Sequence, residues 1–180
     1  MKIMKNKFQR AAIVALLAAA GWLNFSYAEE AAVSEPVGKV KDHLVNAAGE
    51  SVDGATLAEK PYVLFYYSAH WCPPCRKFTP KLVEFYNTHK GGEAFEIVFV
   101  SADYSEKDMA KYMEDVEMPW LAVSYDDIEG TEIESYASGY IPYLVMFDKE
   151  GHMIEGKPVY SGGMRIMRPE AVLEELKKRI

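Results

Sequence analysis

The chain has 180 residues, 49% of them apolar and 13% aromatic, enough to bury one sizeable core. Its 27 acidic residues outweigh 20 basic ones, and a net charge of −7 argues against a general nucleic-acid binder, which needs a basic face. It has two cysteines, Cys72 and Cys75, too few for the several bridges that staple small exported domains.

Residues 1–28 read as a secretory signal peptide. Lys2, Lys5, Lys7 and Arg10 open the chain without an acid, the apolar run AAIVALLAAAGWL follows, and Ser26 and Ala28 supply the small residues that a signal peptidase inspects. The apolar run is about 13 residues, short of the roughly 20 needed to span a bilayer. The mature chain is therefore expected to start at Glu29, to be periplasmic or secreted, and to have no stable membrane insertion after signal cleavage. Residues 29–56, with Pro36, Gly38, Gly49 and Gly54, read as a polar leader followed by a short hairpin around HLVNAAGESV.

The main domain is expected over residues 57–180. PYVLFYYSA is a continuous aromatic and β-branched run of strand length, suited to a strand buried on both faces. A helix is expected from Cys75 to THKGG, because Phe78, Leu82, Phe85 and Tyr86 recur at helical spacing and Gly91 and Gly92 end the pattern. Pro80 falls inside it and should kink it. FEIVFVSAD predicts a second buried strand, and SEKDMAKYMEDV a helix opened by a Ser105/Asp108 capping box. PWLAVSY is a short strand with Trp120 in the core, and GTEIESYAS a short helix ending at Gly139. YLVMFD and HMIEG flank KEG as a hairpin, and RPEAVLEELKKRI is a closing helix with Pro169 in its first turn. This order predicts an α/β sandwich: a central mixed sheet, parallel at first and antiparallel at one edge, with helices on both faces.

Three uses compete for the Cys72–Cys75 pair. A disulfide staple closing so short a loop adds little, since the entropic gain grows with loop length. A copper- or zinc-binding module is the alternative from a different class. A structural zinc site wants four ligands, and His43, His70, His89 and His152 show no paired spacing with the cysteines. The third use is redox cycling. Cys72 falls where a buried strand turns into a helix, so its sulfur meets free N–H groups and the positive end of the helix dipole, which favour a thiolate. Pro73 and Pro74 suit first-turn positions. Cys75 lies one turn on, on the same face, so an exposed attacker and a resolving thiol stand together.

YYSAHWCPPCRKFTPKLVEFY resembles the tryparedoxin and nucleoredoxin branch of the thioredoxin superfamily. MPWLAV is similar to a segment of those proteins, and GYIPYLVMFDKEG looks like the superfamily's cis-proline loop, strand and hairpin. The resemblance covers roughly residues 57–180 and implies a thioredoxin-like fold. It also implies a nucleophilic Cys72, a resolving Cys75, and a partner-facing surface formed by Trp71, Pro73 and Pro74. Pro142 would be the cis-proline, and the Ile141 backbone would pair with an extended substrate segment. Such proteins use no cofactor beyond the disulfide itself. The resemblance further implies protein disulfides as partners and work as a reductant; in an exported chain, a membrane thiol donor would restore the dithiol. A periplasmic thioredoxin of the cytochrome-c-maturation type is a second reading, though the buried glutamate and insert of that group are not found. Three positions depart from the branch: Tyr66 stands where thioredoxin keeps a buried aspartate, Ala102-Asp103 where tryparedoxins often read Trp-Asp, and His70 where Ser or Glu is usual. A protonated His70 would stabilise the Cys72 thiolate, and Asp103 would relay protons. Their plainer readings are a solvent-exposed loop histidine and a helix-approach acid.

Overall fold

A computed structural model describes residues 33–154, 159–161, 164–166 and 168–180. The expected signal peptide, residues 1–28, lies outside the described residues. The chain runs through α1 (Glu35–Gly38), β1 (Leu44–Val45), β2 (Ser51–Val52), β3 (Tyr62–Ser68), α2 (Pro73–Thr88), β4 (Glu96–Ser101) and α3 (Glu106–Asp115). It continues as β5 (Leu121–Val123), β6 (Tyr143–Asp148), β7 (Met153–Ile154), β8 (Val159–Ser161), β9 (Met164–Ile166) and α4 (Pro169–Lys177). Single 3-10 turns occupy Ala55–Glu59, Tyr125–Asp127 and Ile133–Tyr136, the last inside the segment expected to be a short helix. Among the described residues, no helix is long and apolar enough to cross a membrane.

Seven strands form one mixed sheet in the order β2-β1-β5-β4-β3-β6-β7. β3, β4 and β5 run parallel, while β6 joins β3 antiparallel and β7 turns back on β6. The expected N-terminal hairpin is present as β1 and β2, and it is not a separate leader feature: Leu44 and Val45 pair with Val123 and Ala122 of β5, so the hairpin extends the same sheet. The small β8–β9 hairpin was missed in the sequence, although its signal was there: Val159–Ser161 and Met164–Ile166 are separated by Gly162-Gly163, a two-residue turn pair.

β3 is buried on both faces, as its unbroken apolar run requires. Leu64 and Tyr66 point to one core, shared with Phe78 and Leu82 of α2, Met109 and Tyr112 of α3, and Val172 and Leu176 of α4. Val63, Phe65 and Tyr67 point to the other, with Val37, Leu57, Ile128 and Ile133. The three longer helices therefore share one face, and α1 and the 3-10 turns cover the opposite one. Chain handedness explains this distribution. The crossovers β3–α2–β4 and β4–α3–β5 step the same way along the sheet, and right-handed connections then put both helices on one side. Trp120 is in the core, as expected, with its ring 5.5 Å from that of Tyr86 and 6.4 Å from that of Tyr66.

The helix starts follow local chemistry. α2 begins at Pro73, two residues earlier than periodicity suggested, because both prolines fit the first turn without needing an N–H partner. Pro80 is accommodated inside α2. Ser105 caps α3, its Oγ accepting from Asp108 N at 3.1 Å and donating to Asp108 Oδ2 at 2.7 Å.

At the start of β4 the half-buried Glu96 carboxylate accepts hydrogen bonds from Ile97 N and Tyr86 Oη, each at 2.9 Å. Burial nonetheless raises its pKa above the ordinary carboxylate value, and these hydrogen bonds only partly offset the shift. A raised folded-state pKa contributes stability that is full below the unfolded value and is lost as pH rises through the folded one. Glu96→Gln mimics the protonated form and removes this loss. Urea unfolding between pH 4 and 8 should therefore show the variant gaining on the wild type as pH rises; parallel curves would exclude the carboxylate as the cause.

Candidate active site

Cys72 is the N-cap of α2, and its Sγ accepts a hydrogen bond from Cys75 N at 3.3 Å. The two residues form a disulfide, with Cα atoms 5.2 Å apart. An N-cap sulfur faces the unpaired N–H groups of the first turn, where negative charge is favoured. Cys72 retains 4% of its surface exposed and Cys75 none, so Cys72 is the one member of the pair with any surface at solvent. The attacker is less open than the sequence suggested. The reason is tertiary: Ile141 packs against the pair, with its carbonyl oxygen 3.8 Å from Cys72 Sγ, and Ala69 shares the same small buried cluster. The Ile141–Pro142 peptide bond is cis.

The loop carrying the cysteines is held by the loop after β4. Ala102 N donates to Ser68 O at 2.8 Å, and Trp71 Nε1 donates to Ala102 O at 2.9 Å. Asp103 sits between them. Its Oδ1 accepts from His70 N at 2.8 Å, and its Oδ2 accepts from Ser101 Oγ at 2.9 Å. Burial pushes the Asp103 pKa up, while the Ser101 and His70 donors pull it back. Its clearest structural work is to clamp the loop before Cys72. The His70 ring is drawn toward α3, with Nε2 3.7 Å from Asp115 Oδ2 and the ring 5.8 Å from that of Tyr112.

Behind Cys75 lies a buried set of hydroxyls. Thr79 Oγ1 donates to Cys75 O at 2.9 Å, which uses its only proton. Tyr66 Oη, 2.8 Å away, and Tyr112 Oη must then both donate to Thr79, and Ser68 Oγ donates to Tyr112 Oη at 3.2 Å. Burial pushes the Tyr66 phenol well above its ordinary pKa, so it stays neutral. At the position where thioredoxin keeps an aspartate, this chain therefore holds an uncharged, hydrogen-bonded phenol. Sequence reading missed Thr79 and Tyr112. Thr79 left one signal, a polar residue one turn beyond Cys75 on the apolar face of α2. Tyr112 left none, since it arrives from another helix. Also missed were Tyr104, which stacks on Trp71 with centroids 5.7 Å apart, and Tyr140, next to Ile141.

The sequence matches a family model described as Thioredoxin-like over residues 60–153, just over half the chain. Nucleoredoxin from Danio rerio is 50% identical over 103 residues, covering 56% of this chain and 24% of that protein. Tryparedoxin from Trypanosoma brucei brucei is 43% identical over 84 residues, covering 47% of this chain and 56% of that protein. Among solved structures, tryparedoxin II from C. fasciculata matches with a TM-score of 0.56 at 35% identity, covering 66% of this chain and 82% of that one. The chain thus spans about a quarter of the nucleoredoxin it resembles.

Removing the Asp103 carboxylate leaves His70 N and Ser101 Oγ without their acceptor. Asp103→Ala should lower stability by about 2 kcal/mol, within the cost of stranding buried donors. Urea denaturation of the oxidised protein reads this, and a change below about 0.5 kcal/mol would mean that the clamp is dispensable.

Proposed function

Because this chain belongs to the thioredoxin-like family, we propose that it is an exported thiol–disulfide oxidoreductase that reduces disulfides in protein partners. The observation that carries this reading is the Cys72–Cys75 disulfide at the N-terminus of α2, with Cys72 as the one member that keeps any exposed surface. In the reduced protein, the Cys72 thiolate attacks one sulfur of a client disulfide. A mixed disulfide forms, the client bond breaks, and the departing client sulfur takes up a proton. The Cys75 thiol then loses its proton and attacks Cys72 Sγ. The internal disulfide closes, the mixed disulfide breaks, and the second client sulfur leaves and is protonated. Two electrons pass to the client.

Burial of Cys75 suits a resolving role, since the sulfur within its reach is that of Cys72. Export rests on the basic start, the short apolar run and the small residues Ser26 and Ala28. In an exported setting a membrane-borne thiol donor would return the dithiol by the reverse exchange. The reductive direction rests on the resemblance to tryparedoxins and nucleoredoxins.

With dithiothreitol as the electron source, the wild type should accelerate insulin reduction and Cys72→Ser should not. Cys75→Ser should accumulate a mixed disulfide with the client on a non-reducing gel. A purified protein that holds stoichiometric zinc or copper and fails to accelerate the reaction would favour the metal-binding reading instead. For the direction, a reduction potential near about −270 mV fits a reductant, and one near about −120 mV would reverse the assignment.

A further inference from the structure

Among the described residues, the large apolar side chains with the most exposed surface are Tyr140 at 80%, Tyr104 at 79% and Trp71 at 47%. Each is one residue or one ring contact away from a residue that forms or touches the disulfide. Single exposed apolar residues are ordinary, but a cluster of aromatic ones beside a reactive group marks a contact surface. Trp71 directly precedes Cys72, and its indole stacks on Tyr104 with planes 17° apart. Its Nε1 bond to Ala102 O fixes the ring. Tyr140 directly precedes Ile141, whose carbonyl oxygen touches Cys72 Sγ. The turn before Tyr140 is ordered by reciprocal bonds with Ser138: Tyr140 N donates to Ser138 Oγ at 3.3 Å, and Ser138 Oγ donates to Tyr140 O at 3.2 Å. Gly139, at φ +76°, takes the left-handed conformation that this turn needs.

Sheet order places these aromatics on opposite sides of the pair. β4 and β6 flank β3, and the chain leaves β4 toward Tyr104 at the same end of the sheet from which it enters β6 after Tyr140. Two strand spacings are about 10 Å, the length of three extended residues. We propose that Trp71 and Tyr104 on one side and Tyr140 on the other form an aromatic clamp. It selects disulfides whose cysteine lies in an extended protein segment with apolar or aromatic neighbours. The clamp rests on the oxidoreductase reading and names the substrate class for the same site. The attacked cysteine lies over Cys72, its neighbours reach the aromatic faces, and its backbone runs beside Ile141. Rigid aromatic rings offer large contact area at low entropic cost, which suits apolar side chains better than a small disulfide covered in charges.

The test compares two disulfide-bonded peptides, identical except that Leu and Phe flank the cysteine in one and Ser flanks it in the other. With dithiothreitol as reductant, the wild type should favour the apolar-flanked peptide about tenfold in kcat/KM, chiefly through KM. The double variant Tyr104→Ser, Tyr140→Ser should bring that ratio to about one, and either single change should lower it partway. A ratio near one in the wild type, or a ratio unchanged in all the variants, overturns the clamp. A wild type that reduces neither peptide overturns the oxidoreductase reading, and the clamp with it.

Discussion

The hydrogen bond from Cys75 N to Cys72 Sγ is the interaction on which the site depends. It makes a sulfur do what a serine or aspartate oxygen does at most helix starts, capping a first turn whose N–H groups have no other partner. The same bond sets the spacing, because the capping donor belongs to the residue that carries the second sulfur. Pro73 and Pro74 fill the intervening positions with backbone already suited to a helix and without N–H groups to satisfy. The buried β3 strand holds the cap in place from behind.

Around this cap the supports differ in kind. On the β4 side the fastening is polar: the Asp103 carboxylate collects donors from Ser101 and His70, and Ala102 binds Ser68 and Trp71. On the β6 side it is apolar, with Ile141 packed against the pair. Below, the link between α2 and the sheet is a closed set of hydroxyls in which each proton has one acceptor. Such a set can be buried without the penalty of an unpaired charge, and it pins the turn that carries Cys75. The pair is thus held from three directions, and the exposed aromatics stand on the segments beside it.

The near burial of Cys72 has a consequence for the proposed exchange. In that exchange a client has to bring its disulfide against the little surface that Cys72 still offers. Fit against the residues around Cys72 then enters selection beside thiol reactivity. Cys75, with no exposed surface, is shielded from such clients.

Much of this was readable from local pattern. The doubly buried β3, the Cys-Pro-Pro-Cys start of α2, the Ser105 cap, the β6–β7 hairpin and the burial of Trp120 each rest on residues near one another in sequence, where spacing alone selects the conformation. The resemblance to thioredoxin-like proteins came from the same contiguous stretches. Tertiary structure decided what distance hides. The His70–Asp103 clamp spans 33 positions, and the Cys72–Ile141 contact 69. Both follow from strand order in the sheet, which no short window of sequence encodes. The shared face of the longer helices, the docking of the β1–β2 hairpin onto β5 and the meeting of Thr79 with Tyr112 belong to that class too. Their cause is the handedness of the crossovers and the packing of a finished sheet, not the preferences of neighbouring residues.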